Sequence, residues 1–176
     1  MADGAFSYVQ RNLATVLSEL RAVADRVGKP PPLLVAVTKS ASDGEVLALA
    51  AAGVSAMAEN RVPNFRARAA LLAAAGYSVP LHLIGSLQKN KVKYIAAEAT
   101  LIQSLDSFSL AEEIERQGSR VGCRIPVLAE VNIGNEESKG GVMREDFCAF
   151  VREIARRAYP HIALRGVMTW RPPWRK

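Results

Sequence analysis

Residues 33–39 read Leu-Leu-Val-Ala-Val-Thr-Lys, and the interpretation of the whole chain depends on this stretch. Five apolar residues follow the prolines at 30–32, and Lys39 stands where the apolar run stops. A short apolar run between turn signals is typical of a strand buried on both faces, as in a parallel sheet. Reactive side chains collect at the carboxyl ends of such strands in barrel and doubly wound α/β folds. Lys39 is therefore the first candidate for a functional residue.

The chemistry open to Lys39 depends on its surroundings. A lysine amine that faces a partly desolvated cavity favours the neutral form, which attacks an aldehyde to give a Schiff base. We therefore expect the Lys39 amine to be shielded at the end of its strand. The alternative is a lysine that simply extends from the strand end to solvent.

Helical and strand-like segments alternate along the rest of the chain. An apolar stripe at helical spacing predicts an N-terminal helix over 6–27, within residues 1–28. Strands are predicted at 33–37, 54–58, 81–84, 100–105, 127–131 and 163–168. Helices are predicted between them at 42–52, 63–75, 88–97, 107–117 and 144–158.

This alternation predicts a parallel sheet with right-handed crossovers. A complete (β/α) barrel of the TIM type has eight strands and typically about 250 residues. The fold class predicted here is therefore α/β, a TIM-type (β/α) barrel truncated to about six parallel strands, with an extra N-terminal helix. We expect residues 1–176 to form a single domain, with an atypical proline-rich tail at 170–176.

Composition restricts the classes of protein that fit. No apolar run reaches the roughly 18 residues of a membrane span, and the N-terminus lacks the basic and apolar segments of a secretory signal. Cys123 and Cys148 form neither a CxxC pair nor a disulfide framework. We therefore expect reduced thiols in a cytoplasmic protein; a mitochondrial location stays open for a eukaryotic source.

The formal net charge of +6 fits a phosphorylated small molecule or a polyanion as partner. Basic residues cluster at Lys89, Lys91 and Lys93, but few aromatic residues are interleaved with them. We therefore do not expect a nucleic-acid partner, and a solvated basic face is the simpler interpretation. The sequence contains no P-loop, dinucleotide-binding, HExxH or GxSxG motif.

Polar residues or glycine follow each predicted strand. In chain order they are Thr38-Lys39, Glu59-Asn60, Gly85, Asp106, Asn132 and Thr169. In a barrel these positions share one mouth. Each also has a structural explanation, such as a turn at Asn60 or Asn132, a backbone bend at Gly85, or a helix-start charge at Glu59. His82, inside a strand, is more typical of a hydrogen-bonded core histidine than of a catalyst.

Four ordered blocks of the chain resemble the pyridoxal phosphate homeostasis protein family. They are residues 35–39 (Val-Ala-Val-Thr-Lys), 58–62 (Ala-Glu-Asn-Arg-Val), 81–91 and 130–141. The likeness runs from the first helix to Thr169. The resemblance implies a single-domain barrel of the alanine racemase N-terminal type.

The resemblance also implies that Lys39 holds pyridoxal 5′-phosphate as a Schiff base. The residues expected to line the cofactor mouth are Asn60, His82, Gly85, Asn132 and Met168, with the Glu137-Ser138-Lys139 loop closing over it. Members of the family are carriers or regulators of free cofactor and of amino- and keto-acid pools rather than ordinary enzymes. Two alternatives stay open: a pyridoxal phosphate-dependent racemase-like enzyme, and a basic RNA- or partner-binding module.

The sequence departs from the family pattern in two ways. Met57-Ala58 stands where Phe-Gly is usual and Leu81 where an aromatic is usual, which are packing changes. The family continues past the position of Thr169 with about two β-α units that carry its phosphate-binding loops. We therefore expect weaker cofactor binding, and self-association through open strand edges at 33–37 and 163–168.

Overall fold

The computed structural model describes residues 4–134 and 140–170, in which strands and helices alternate. The strands are β1 (Val35–Val37), β2 (Ala56–Glu59), β3 (Leu81–Leu83), β4 (Leu101–Leu105), β5 (Ile125–Asn132), β6 (Val142–Met143) and β7 (Ile162–Thr169). The helices are α1 (Ser7–Arg26), α2 (Asp43–Ala51), α3 (Val62–Ala74), α4 (Lys89–Val92), α5 (Phe108–Val121) and α6 (Phe147–Arg157).

All strand pairs in the sheet are parallel, as the β-α alternation predicts. The order is β1-β2-β3-β4-β5, and β7 pairs with the other edge of β5. The two-residue β6 pairs with Val131 and Asn132 at the carboxyl end of β5. Within the described residues, β1 and β7 each have one neighbouring strand. The predicted α/β fold with six main parallel strands is confirmed.

The two faces of the sheet carry different residues, because successive side chains of a strand alternate. Met57, Leu83 and Ile102 lie on the face that packs against the helices, where they join one hydrophobic cluster. Val37, Ala58 and His82 are register partners on the opposite face, which we call the inner face. The strands thus separate a packed helical layer from the side on which a barrel has its interior.

Several predicted boundaries are wrong. The helix predicted at 88–97 ends at Val92, where consecutive turns replace it through 98. The helix predicted from residue 144 begins at Phe147, because Asp146 donates a backbone hydrogen bond to Met143 in a turn after β6. The 137–139 loop and residues 171–176 of the predicted tail lie outside the described residues.

In 4–134 and 140–170, every helix is too short or too polar to cross a lipid bilayer.

Candidate functional site

The predicted site residues lie along the rim formed by the carboxyl ends of the parallel strands. Lys39 is in the turn after β1, Asn60 directly follows β2, and Gly85 lies two residues beyond β3. Asn132 ends β5, and Met168 lies one residue before the end of β7. His82 is set back from the rim, in the middle of β3. The fold therefore brings residues from five strands to one edge, as the sequence predicts.

Lys39 is exposed, so the expected shielding of its amine is not found. The physical reason lies in β1, which pairs only with β2 in the described part of the chain and leaves its other side open. Val37, two residues earlier, is 52% exposed because the same side of β1 is open. No hydrogen bond or ion pair within 4–134 and 140–170 engages the Lys39 side chain. The amine is accessible to a ligand at the rim.

The residue before Lys39 is fully buried and fixed from the helical side of the sheet. Thr38 donates a hydrogen bond from Oγ1 to Glu59 Oε1 at 2.7 Å, and its backbone N–H bonds Ala58 O at 3.0 Å. Glu59 itself has no exposed side-chain surface, and its Oε2 has no hydrogen-bond partner among the described residues. Glu59 thus faces the helices rather than the predicted cofactor mouth, because it alternates with the inner-face Ala58.

Arg68 of α3 connects this buried carboxylate to the loop that carries Lys39. Its Nε donates to Glu59 Oε1 at 3.3 Å, and its Nη1 forms an ion pair with Asp43 at the start of α2. Its Nη2 donates to the backbone carbonyls of Thr38 and Ala41, the first at 3.5 Å. One guanidinium therefore bridges two helices, one strand and both ends of the turn around Lys39.

A capping box fixes the far end of the same loop. Ser42 caps α2, and the Glu45 carboxylate accepts hydrogen bonds of 2.7 Å from both the backbone N–H and the hydroxyl of Ser42. Tyr8 of α1 donates a further bond of 2.5 Å to Glu45. The Tyr8 and Ser42 hydrogen bonds lower the pKa of Glu45 to about 2, so this carboxylate stays charged at neutral pH. The turn around Lys39 thus lies between two anchored segments.

Gly85 is required by a close approach of two rim loops. A Cβ atom at Gly85 would lie 2.1 Å from the backbone oxygen of Asn60. The neighbouring Ile84 N–H donates to Glu59 O at 2.9 Å, which continues the β2–β3 pairing to this point. The structure therefore assigns Gly85 a packing role beside Asn60, whose side chain is half-buried at the rim.

His82 is a buried inner-face residue with a hydrogen-bond partner. The amide of Gln103 on β4 donates to His82 Nδ1, with a distance of 3.0 Å between the two nitrogens. Burial lowers the pKa of His82, which favours the neutral imidazole. This geometry fits the hydrogen-bonded core histidine that the sequence offered as an alternative; a contact of His82 with a cofactor stays a prediction.

Glu130 on β5 is a feature of the rim that the sequence analysis did not single out. It is 9% exposed and pairs in register with Met168 of β7, so the two side chains share the inner face. Burial and the nearby Asp106 carboxylate raise the pKa of Glu130 to about 7. Gly140 packs beside it, since a Cβ there would lie 3.5 Å from Glu130 Oε2.

Arg68 was not predicted as a site residue, although its spacing from apolar residues of α3 indicates that it faces the core. Phe65 and Leu72 are buried on α3, and Arg68 stands three residues after the first and four before the second. That spacing places an arginine on the core-facing stripe of the helix, where a charged group needs an anionic partner. Its partner Glu59 is fixed only by the tertiary fold.

The described residues bring no group of three or more His, Cys, Asp or Glu side chains together in a way that could hold a metal ion. The described residues of the rim include the exposed Lys39, Asn60, Asn132 and the buried Glu130. A primary amine such as that of Lys39 can condense with a carbonyl group.

The amino-acid sequence is similar to those of several known proteins. The alanine racemase N-terminal domain family matches residues 12–172. The pyridoxal phosphate homeostasis protein of Aquifex aeolicus is 32% identical over 165 residues, which cover 91% of this chain and 69% of that protein. The protein of the same name from Haemophilus influenzae is 31% identical over 77% of this chain and 56% of its own length.

A solved structure shows the same likeness in three dimensions. PipY of Synechococcus elongatus PCC7942, with pyridoxal phosphate bound, superimposes with a TM-score of 0.77 at 25% identity. The match covers 94% of this chain and 72% of PipY. The described fold is thus shared with a protein of known ligand, and the chain spans 56 to 72% of these three proteins.

Proposed function

Because the chain belongs to the pyridoxal phosphate homeostasis protein family, whose fold is that of the alanine racemase N-terminal domain, we propose that it binds pyridoxal 5′-phosphate. In this proposal it acts in the cytoplasm, in the homeostasis of the cofactor and of amino and keto acids, and does not catalyse a reaction of its own. The observation that supports the proposal is the position of Lys39 at the carboxyl end of β1, in a fold that superimposes on pyridoxal phosphate-bound PipY with a TM-score of 0.77.

The donor set of the rim fits this cofactor. When bound, the cofactor would supply an aldehyde, with which the Lys39 amine would condense to a C=N bond with loss of the carbonyl oxygen and the two amine protons as water. Lys39 would hold the ligand, and Asn60 and Asn132 would offer amide groups beside it. The inner-face residues His82 and Met168 would form the wall below.

The remaining predictions about the protein are part of the same proposal. Residues 1–176 would form one cofactor-binding barrel domain, and amino acids would be its second class of ligand. Two copies would associate through the edges of β1 and β7 that meet no other strand among the described residues, since such edges are suited to pair with another strand.

The racemase alternative is not favoured by the positions of the tyrosines. A racemase needs acid–base groups on both faces of the substrate carbon. Tyr8 lies in α1 and donates its hydroxyl to Glu45, Tyr77 follows α3, Tyr94 follows α4 and Tyr159 follows α6. All four stand in or after helices rather than at the rim. The RNA-binding alternative draws no support from the comparisons.

The proposal is tested by mixing the purified chain with pyridoxal phosphate, reducing with borohydride and mapping the labelled peptides. We expect the phosphopyridoxyl group on Lys39 and its loss in Lys39→Ala. Lys29→Ala, which removes another exposed lysine, is the matched control and should label normally. Labelling mainly at a different lysine would overturn the proposal.

A further inference from the structure

We propose that Arg68 is a positioning residue that holds the turn at 38–42 so that the Lys39 amine is presented at the rim. This inference rests on the proposed function, because it assigns to Arg68 the orientation of the amine that would bind the cofactor. Arg68 bonds the buried Glu59 and the backbone carbonyls of the turn, so it would act on Lys39 through the backbone.

The contacts of Arg68 enclose the turn on both sides of Lys39. The carbonyl of Thr38 precedes Lys39, the carbonyl of Ala41 follows it, and both accept from Nη2 of the same guanidinium. Thr38 O also accepts from the Ala41 N–H at 3.0 Å, which closes the turn. Because a guanidinium is planar and rigid, simultaneous bonds to two carbonyls restrict the backbone between them.

Arg68 is in turn fixed by two carboxylates. Glu59 and Asp43 hold Nε and Nη1, so the side chain is only 14% exposed and has little freedom of its own. Within the described residues, Arg68 is the one cation that forms an ion pair with Glu59. The buried carboxylate thus anchors the guanidinium, and the guanidinium anchors the turn.

This restraint matters because β1 cannot supply it. β1 has three residues and one neighbouring strand among the described residues, and Lys39 has no side-chain partner there. A long lysine side chain on an unrestrained turn samples many orientations, of which few present the amine to a bound aldehyde. By bonding the carbonyls of the turn, Arg68 limits the backbone conformations from which the Lys39 side chain extends.

The test compares Arg68→Met with Arg66→Met, an exposed position on the same helix. Pyridoxal phosphate labelling is trapped with borohydride at short times, and the label on Lys39 is divided by the label on the exposed Lys89 of the same molecules. We expect Arg68→Met to lower this ratio about tenfold, the cost of a misplaced reacting group, while Arg66→Met leaves it unchanged. Arg68→Lys, which keeps the charge beside Glu59, should fall between wild type and Arg68→Met.

A second readout does not depend on the cofactor. Amide hydrogen exchange at residues 39–42 should become faster in Arg68→Met, while exchange in β4 and β5 stays as in wild type. If Arg68→Met does not fold, the double variant Glu59→Gln/Arg68→Met, which leaves no unpaired buried charge, takes its place.

The outcomes separate the two proposals. An unchanged Lys39-to-Lys89 ratio and unchanged exchange in folded Arg68→Met overturn the role of Arg68 and leave the proposed function intact. A wild-type chain that leaves Lys39 unlabelled overturns the proposed function. In that case faster exchange at 39–42 would show that Arg68 holds the turn, and no role in cofactor binding would follow from it.

Discussion

Thr38 and Lys39 are adjacent, yet Thr38 is fully buried and Lys39 is exposed. Thr38 faces the helical layer and forms its hydrogen bonds there, whereas Lys39 is the first residue of the turn that follows β1. Thr38 bonds Glu59, and Glu59 bonds Arg68, all behind the sheet. These hydrogen bonds fix the start of the turn and do not involve the exposed Lys39 side chain.

The buried Glu130 carboxyl is expected to make the stability of the fold depend on pH. Burial and Asp106 raise the pKa of Glu130 to about 7 in the folded state, whereas the unfolded carboxyl keeps its ordinary value of 4.5. The folded state therefore binds this proton more tightly than the unfolded state. As a result, the free energy of unfolding falls as the pH rises from 4.5 through 7. We expect Glu130→Gln to increase the free energy of unfolding at pH 8 by about 1–2 kcal/mol and to have little effect near pH 4.5.

Urea denaturation of wild type and Glu130→Gln across this pH range measures the effect. Glu19→Gln, at an exposed position on α1, controls for the loss of a carboxylate as such. Parallel pH profiles for wild type and Glu130→Gln would show that the inner-face carboxyl is not perturbed.

At the scale of elements, the β2 and β3 ends illustrate how the rim is assembled. The loops after these strands approach so closely at Gly85 that a Cβ would lie 2.1 Å from Asn60 O, a backbone atom that cannot yield without moving β2. We expect Gly85→Ala to destabilise the fold by about 2 kcal/mol or more, as other backbone-level clashes do. Thermal and chemical unfolding measure this loss.

The matched control is Gly4→Ala, because a Cβ at Gly4 meets no atom within 4 Å. That substitution should leave stability nearly unchanged. If Gly85→Ala were as stable as Gly4→Ala, the β2 and β3 loops would have to move apart readily, and the position of Asn60 at the rim would not be fixed.

The order of the main strands and helices follows from the sequence, because apolar periodicity and glycine or proline stops depend on neighbouring residues alone. The two-residue β6 cannot be predicted from the sequence, because its pairing with Val131 and Asn132 is set by the tertiary fold. The same holds for the candidate site. Lys39 at a strand end is visible in the sequence, but its exposure depends on which strands flank β1, and the Arg68–Glu59 pair joins an α3 residue to a β2 residue.

At the scale of the whole molecule, the sheet has two open edges within the described residues. β1 pairs only with β2, and β7 pairs only with β5. Val167 on β7 is 54% exposed although its register partner Ala129 is buried in the core. An exposed apolar edge strand is a template for pairing with another chain. The edge of β7, with eight residues, offers the longer template.

We therefore expect the 176-residue chain to associate with itself in a concentration-dependent way and Val167→Lys to weaken that association roughly tenfold, since a lysine on an edge strand opposes pairing. Sedimentation equilibrium over a range of protein concentrations measures both. Val23→Lys is the matched control, because Val23 is 48% exposed on α1, away from the sheet edges, and should associate as wild type does. A wild-type chain that stays monomeric at all concentrations would contradict the prediction. Equal association of Val167→Lys and Val23→Lys would instead place the contact away from β7.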